Sequence, residues 1–397
     1  MLNIERIELV PVAVPRETGV INQHVIVRIE AAGGAIGYGE MSDLSHVPMY
    51  QFDLPELERS LNELLVGDEV HNLSLIEDKL QRFYPDEGHV YSRSGLVRQG
   101  IDLALHDLLA RYEGKPVYTL LGGKLRDRFK VCYPIFRMRF PDQVPAVLDG
   151  VQAKLEQGFD LFRVYVGANP VVDELFLSQF AERFGGRASI KSLDFSNLLD
   201  WRRAWQQTKR LSQLVDFMMV ESPAPRNDLS GLAEFRRRSS WPISEHVYHL
   251  QHGWQLLRSS SVDILNISPY VLGGLRACLR VAALAEAANA SVLIGTTQEL
   301  NLGTAAVAHL GAVLRVLDYP CDSTGPMLYT QDVTKDRIRY EAGFLVVPDK
   351  PGLGVDVDEE RLREMRNKAR WTFGVDLTGI VDRTTPSSPE EKGAAGK

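Results

Sequence analysis

Three short apolar runs in the middle of this chain each end in a carboxylate: Ser192–Asp194, Met218–Glu221 and Pro242–Glu245. They follow one another at intervals of roughly 25 residues, the spacing of successive strand–helix units. In a parallel barrel every strand delivers its C-terminal residue to the same rim, so Asp194, Glu221 and Glu245 are expected to converge. Three converging carboxylates need a cation to stay ionised, and hard oxygen donors favour Mg²⁺. If the register of the third run is shifted by one, His246 faces that cation instead and Glu245 turns away.

The elements that would position these residues are visible in the pattern. IERIELVPVAV alternates as a strand does, and HVIVRIEAAGGAIGYGE predicts a hairpin turning at Gly33-Gly34. LPELERSLNELLVG, LSLIEDKLQRFY and GLVRQGIDLALHDLLARYEG predict helices, the last closing on Gly114. From about Val131, β-rich runs such as KVCYPIF, LFRVYV, FMMVE, VDILNI and ASVLIG alternate with helical segments. That alternation favours a parallel sheet with right-handed crossovers, and about eight units favour closure into a barrel. IRYEAGFLVVP predicts a late hairpin, and TTPSSPEEKGAAGK a frayed tail.

With 397 residues the chain has room for a barrel of about 250 residues plus additions. A net charge of −7 disfavours nucleic acid and anionic membrane as partners, while a small anionic substrate remains compatible with local fields. Cys132, Cys278 and Cys321 are sparse, odd in number and in no CxxC pattern, which predicts buried thiols in a reducing compartment. The N-terminus has no basic region followed by an apolar run, and no stretch approaches the roughly 18 apolar residues of a membrane span. The expectation is a cytoplasmic protein.

Several segments, in order along nearly the whole chain, resemble the enolase superfamily and within it the mandelate racemase / muconate lactonising enzyme group. GYGE (residues 37–40) is similar to the end of the family's capping hairpin, and GIDLALHDLLARYEGKPVYTLLGG to its signature helix and turn before the barrel. VLGGLRACLRVAALAEAAN is similar to the sixth strand–helix unit, with Gly273-Gly274, and PDKPGLGVDVDEERL to the C-terminal return segment. The resemblance implies an α/β fold, a modified (β/α) TIM-like barrel under an α+β capping domain built from both chain termini. Residues 1–125 would form the N-terminal part of the cap, 126–325 the barrel, 326–385 the segment packing back on the cap, and 386–397 a disordered tail. It also implies a homo-oligomer, a small carboxylate substrate, and Mg²⁺ held by Asp194, Glu221 and Glu245. The shared reaction is removal of the proton beside a carboxylate, through an enediolate stabilised by the metal.

The family's acids and bases are altered here. Its second strand usually ends in Lys-x-Lys, and this chain has Arg163-Val164-Tyr165. Tyr165 is expected to act as acid or base if the guanidinium and the cation lower its pKa from ~10, or else to hydrogen-bond substrate. Relatives carry a lysine or aspartate at the end of strand six and, in the racemase branch, a histidine on strand seven. Here Ser268, and Gly295 with Thr296, stand there. Glu299 matches the strand-seven acid of the lactonising branch, and Asp318 the eighth-strand acid that bonds substrate. His246 is the candidate for the second acid. Arg16, His24 and His46 fall in segments matching the capping loops that contact the distal part of the substrate. With neither base pair intact, the expectation is a lyase dehydrating an acid sugar or related hydroxy acid. The alternatives are a racemase, epimerase or cycloisomerase, or a non-catalytic protein that binds metal and carboxylate.

Overall fold

The computed structural model describes residues 2–44 and 53–368. His46 and the expected tail lie outside them. Three N-terminal strands, β1 (Ile4–Pro15), β2 (Ile21–Ala31) and β3 (Ala35–Met41), form an antiparallel meander. The β2–β3 loop is the three residues between the paired Ala31 and Ala35, and it turns at Gly33 (φ +80°) and Gly34 (φ +78°), left-handed values that glycine adopts freely. Helices α1 (Leu54–Leu65), α2 (Leu73–Phe83) and α3 (Arg93–Tyr112) follow. Asp53 caps α1 by accepting from the Glu56 amide, and Leu54, Leu57, Leu61 and Leu65 turn one buried face towards the sheet.

GYGE has a steric reason. A Cβ at Gly39 would stand 2.1 Å from the Gly100 carbonyl oxygen, and one at Gly37 2.2 Å from that of Ala104. Only glycines let α3 lie directly on β3, which fixes the cap on the helix that leads to the barrel.

After α4 (Val117–Leu120), the chain runs through β4 (Arg128–Lys130), β5 (Tyr133–Ile135), α5 (Val144–Glu156), β6 (Leu161–Tyr165), α6 (Pro170–Phe184), β7 (Ser189–Asp194) and α7 (Trp201–Leu211). It continues through β8 (Phe217–Glu221), α8 (Leu229–Arg238), β9 (Ile243–His246), α9 (Leu250–Arg258), β10 (Ile264–Ile267), α10 (Pro269–Leu272), α11 (Leu275–Ala287), β11 (Ser291–Ile294) and α12 (Asn301–Val313). Strands β5 to β11 form one parallel sheet in sequential order. Its edges are joined by two residues: the Asp322 amide donates to Ile294 O at 2.9 Å, and the Cys132 amide donates to Cys321 O at 2.9 Å. Cys321-Asp322 is therefore the eighth stave of the barrel, with all three cysteines buried as free thiols.

The late hairpin is β12 (Tyr340–Glu341) with β13 (Phe344–Val346), paired onto β4. The return segment docks on the cap through Asp107, which accepts from the amides of Leu353 (2.7 Å) and Tyr38 (2.9 Å). It ends in α13 (Glu359–Lys368), which packs against β1. No helix among the described residues is long and apolar enough to cross a membrane.

Candidate active site

Strand register decides which side chains enter the barrel. Tyr165 pairs with Asp194, Asp194 with Glu221, and Glu221 with Ser244. Partners across a parallel pair share a face, so the inward set on β9 is Ser244 and His246, and Glu245 points away. This is the shifted register that the sequence left open, with His246 turned inward and Glu245 turned away. Its carboxylate accepts from Ser222 Oγ (2.8 Å), Asn197 Nδ2 (2.9 Å) and the His246 amide (2.9 Å). Ser222 (φ +50°) and Asn197 (φ +60°) lie in the left-handed region, so Glu245 ties down two strained loops at the rim. Burial raises its pKa against these bonds.

His246 enters instead, with Nε2 3.3 Å from Glu221 Oε1 and a buried Nδ1 that has no hydrogen-bond partner. Burial works to lower its pKa, but the bond to Glu221 and that group's charge prevail and raise it. Glu221 also accepts from Asn266 Nδ2 at 3.0 Å. Its pKa is depressed despite burial, because His246 and Arg163 stand beside it, whereas burial and the Glu221 charge raise that of Asp194.

On β6, Arg163 is buried and donates to the Tyr165 hydroxyl and to Asp322 Oδ2 (2.9 Å). Its Nη1 also lies 3.6 Å from Glu221 Oε1, and its Nε 4.0 Å from Asp194 Oδ2. The Tyr165 ring stacks on Phe136 with centroids 5.8 Å apart. Contrary to the expected lowering, its pKa is pushed up: burial, with Asp194 and Glu221 adding to it, outweighs the guanidinium. Tyr165 is therefore a hydroxyl that keeps its proton. Facing this flank, Ser268 Oγ is buried without a partner, and Glu299 is held in its own loop by Thr296 and Thr297.

Other expected positions fall elsewhere. Asp318 is exposed, because the eighth stave begins at Cys321, and Asp322 is the acid facing the interior. His24 is no loop residue: it lies on β2, fully buried, with Nδ1 3.0 Å from Glu40 and Nε2 3.1 Å from the Tyr329 hydroxyl. Glu40 in turn accepts from the amides of Leu300 and Gly303 at the start of α12, both at 2.8 Å. Arg16 is bonded to Asp43 and Gln298, so it braces the cap against the loop before α12.

Lys191 and Asp322 were missed from the sequence. Phe162 pairs with Ile190 but Arg163 with Ser192, so a bulge skips Lys191 and admits it to the interior, where Nζ meets Asp322 Oδ1 at 2.6 Å.

A divalent cation fits at two carboxylates rather than three. Glu221 Oε2 is buried without a partner, and Asp194 Oδ2 has the long approach of Arg163, so both oxygens await positive charge. Among the described residues no three His, Cys, Asp or Glu side chains are grouped closely enough to hold one ion. Two carboxylates, with the other positions left to water and substrate oxygens, suit Mg²⁺.

Comparison with known proteins agrees with this architecture. Residues 2–122 match the mandelate racemase / muconate lactonizing enzyme N-terminal domain, and residues 146–361 the enolase C-terminal domain-like model. Muconate cycloisomerase 1 of Rhodococcus opacus is 28% identical over 85% of this chain and 90% of its own length. The L-Ala-D/L-Glu epimerase of Bacillus subtilis is 25% identical over 89% and 97%. The structure of muconate lactonizing enzyme from Pseudomonas putida superposes with a TM-score of 0.81 at 26% identity, over 91% of this chain and 99% of that one. The chain belongs to the enolase superfamily, in its mandelate racemase / muconate lactonizing enzyme group.

Proposed function

We propose that this enzyme is an isomerase that moves a single proton at the carbon beside a substrate carboxylate, by closing and opening a lactone. One contrast carries the reading: the Tyr165 hydroxyl and the cations Arg163 and Lys191 lie on the β6–β8 side of the mouth, whereas the facing Ser268 and Gly295 do not titrate and the Glu299 carboxyl is tied to Thr296 and Thr297 in its own loop. Racemisation needs a competent group on both faces of the carbon, whereas lactone closure needs one. The cycloisomerase and epimerase relatives support an isomerase over a lyase.

The enzymes of this group generally bind Mg²⁺, and Asp194 and Glu221 are proposed to hold it here. When bound, the ion supplies charge that stabilises the anion developing on the substrate carboxylate. Arg163 adds a second positive charge on the same side and orients the Tyr165 hydroxyl. In closure, one carboxylate oxygen of an unsaturated diacid adds to the C=C bond conjugated with the second carboxylate, and the enolate carbanion formed beside that second carboxylate takes the proton of Tyr165, which solvent then replaces. The phenolate left behind is stabilised by Arg163, and ring opening returns the proton. The raised pKa keeps the proton on Tyr165 until a carbanion forms beside it.

Dehydration of a hydroxy acid, such as an acid sugar, is the second reading. It is favoured by His246, whose raised pKa and partnerless Nδ1 suit a group that protonates a departing hydroxide.

The test is incubation with Mg²⁺ in D₂O with lactones, hydroxy acids and N-acyl amino acids, followed by NMR. The first reading expects deuterium beside the carboxylate and interconversion of lactone and unsaturated acid, both lost in Tyr165→Phe. Water loss from hydroxy acids with no turnover of lactones would select the second. Racemised amino acids would contradict the one-sided site.

A further inference from the structure

Two cations are buried side by side under the barrel mouth, and they share one anion. Asp322 gives Oδ1 to Lys191 at 2.6 Å and to the Cys132 thiol at 2.9 Å, which leaves Oδ2 for a single bond to Arg163 at 2.9 Å. Asp322 thus cancels about one of the two positive charges. The remainder is directed at the rim: the Arg163 Nε has no hydrogen-bond partner and lies 4.0 Å from Asp194 Oδ2, and Nη1 lies 3.6 Å from Glu221 Oε1. Arg163 is only 3% exposed, so water screens little of this field.

The bulge at Lys191 is what makes the arrangement one-sided. Without an ammonium on Oδ1, Asp322 would be free to take the guanidinium through both oxygens and draw it away from the rim. With Lys191 in place, Arg163 makes one bond to Asp322, gives Nη2 to the Tyr165 hydroxyl, and keeps Nη1 and Nε near Glu221 and Asp194.

We infer that Arg163 is a built-in counter-cation that competes with Mg²⁺ for Asp194 and Glu221, so that this chain binds the metal more weakly than its two carboxylates would alone. The inference rests on the reading that these two carboxylates hold the metal. It gives Asp322 and Lys191 the part of positioning residues, acting through Arg163, and it makes the guanidinium the resting occupant of a place that the metal and the substrate carboxylate take together.

The experiment is calorimetric titration of the full chain with Mg²⁺ alone, with circular dichroism to establish that each variant is folded. Arg163→Met is expected to tighten Mg²⁺ binding about tenfold or more, because a like charge is removed from a buried site. Lys191→Met, which frees Asp322 to draw the guanidinium away, is expected to tighten it about threefold or more, and keeps the test alive if Arg163→Met does not fold. Asp322→Asn is expected to weaken it. Damage to the fold lowers affinity, so a gain cannot come from a merely structural role. Equal or weaker binding in the folded Arg163→Met or Lys191→Met variant would overturn the competition. Absence of Mg²⁺ binding in the native chain and in every variant would instead overturn the metal reading on which it rests.

Discussion

On the β6–β8 side of the barrel mouth, Arg163, Tyr165, Lys191, Asp194 and Glu221 crowd into a buried space, with Asp322 reaching them from the closing stave. At the corresponding level on the β10–β11 side stand Asn266, Ser268, Gly295 and Thr296, which carry neither charge nor a titrating proton. The two sides are built from the same strand–helix unit, so the difference lies in what each strand end presents. Charge is costly to bury unless paired, and here Arg163 and Lys191 are paired with Asp322, Asp194 and Glu221 in one network. In the proposed reaction, a carbon between these walls would meet the Tyr165 hydroxyl on one face and these uncharged groups on the other.

The comparison can be broken most severely on its charged side. Asp194→Asn should abolish the rise in melting temperature produced by Mg²⁺ and lower turnover about a thousandfold, the loss of several kcal/mol of charge stabilisation. A Mg²⁺ shift that survives in this variant would move the ion elsewhere. Tyr165→Phe should lower exchange of the proton beside the carboxylate by about 10²–10⁴-fold and leave the Mg²⁺ shift intact.

Glu245→Gln separates the rim loops from the metal. Its carboxylate accepts three hydrogen bonds that an amide cannot all replace, so stability should fall by about 1–3 kcal/mol in denaturant titration, with Mg²⁺ affinity unchanged. A large loss of Mg²⁺ affinity would restore Glu245 as a ligand.

Asp173 tests the loop that follows Tyr165. Its carboxyl accepts from the Gly167 amide (2.9 Å) and Gln207 (2.6 Å), and burial pushes its pKa up to about 6. A folded-state pKa above the unfolded value of ~3.9 means that the folded chain binds the proton more tightly. The stability contributed is therefore full below pH ~4 and lost as pH rises to about 6. Asp173→Asn should remove about 3 kcal/mol of that decline, and identical pH profiles of the two proteins would refute it. The smallest effect belongs to the uncharged side: Ser268→Ala removes a hydroxyl with no partner and should change turnover less than about twofold.

How far the residues themselves disclose this site varies with the element. The ends of β7 and β8 were legible, because an apolar run closed by Asp194 or Glu221 has one reading in a parallel barrel. GYGE was legible as a motif, and the contact of Gly37 and Gly39 with α3 supplies its reason. β9 was ambiguous: it has four residues, Ser244 through His246 alternate without a clear apolar face, and only the pairing of Glu221 with Ser244 chooses between neighbours. Lys191 was hidden because a bulge breaks the alternation that pattern reading assumes. Asp322 was hidden because a two-residue stave has no hydrophobic period, which drew attention to Asp318 in the more strand-like VLDYP. His24 is misjudged when it is placed in a capping loop, since β2 already begins at Ile21.

The one-sided mouth is tested most directly by the stereochemistry of deuterium uptake. Enzyme, Mg²⁺ and a turned-over lactone in D₂O should give product labelled on a single face of the carbon beside the carboxylate, with its configuration retained through repeated turnover. Label on both faces, or loss of configuration at the rate of exchange, would contradict the account.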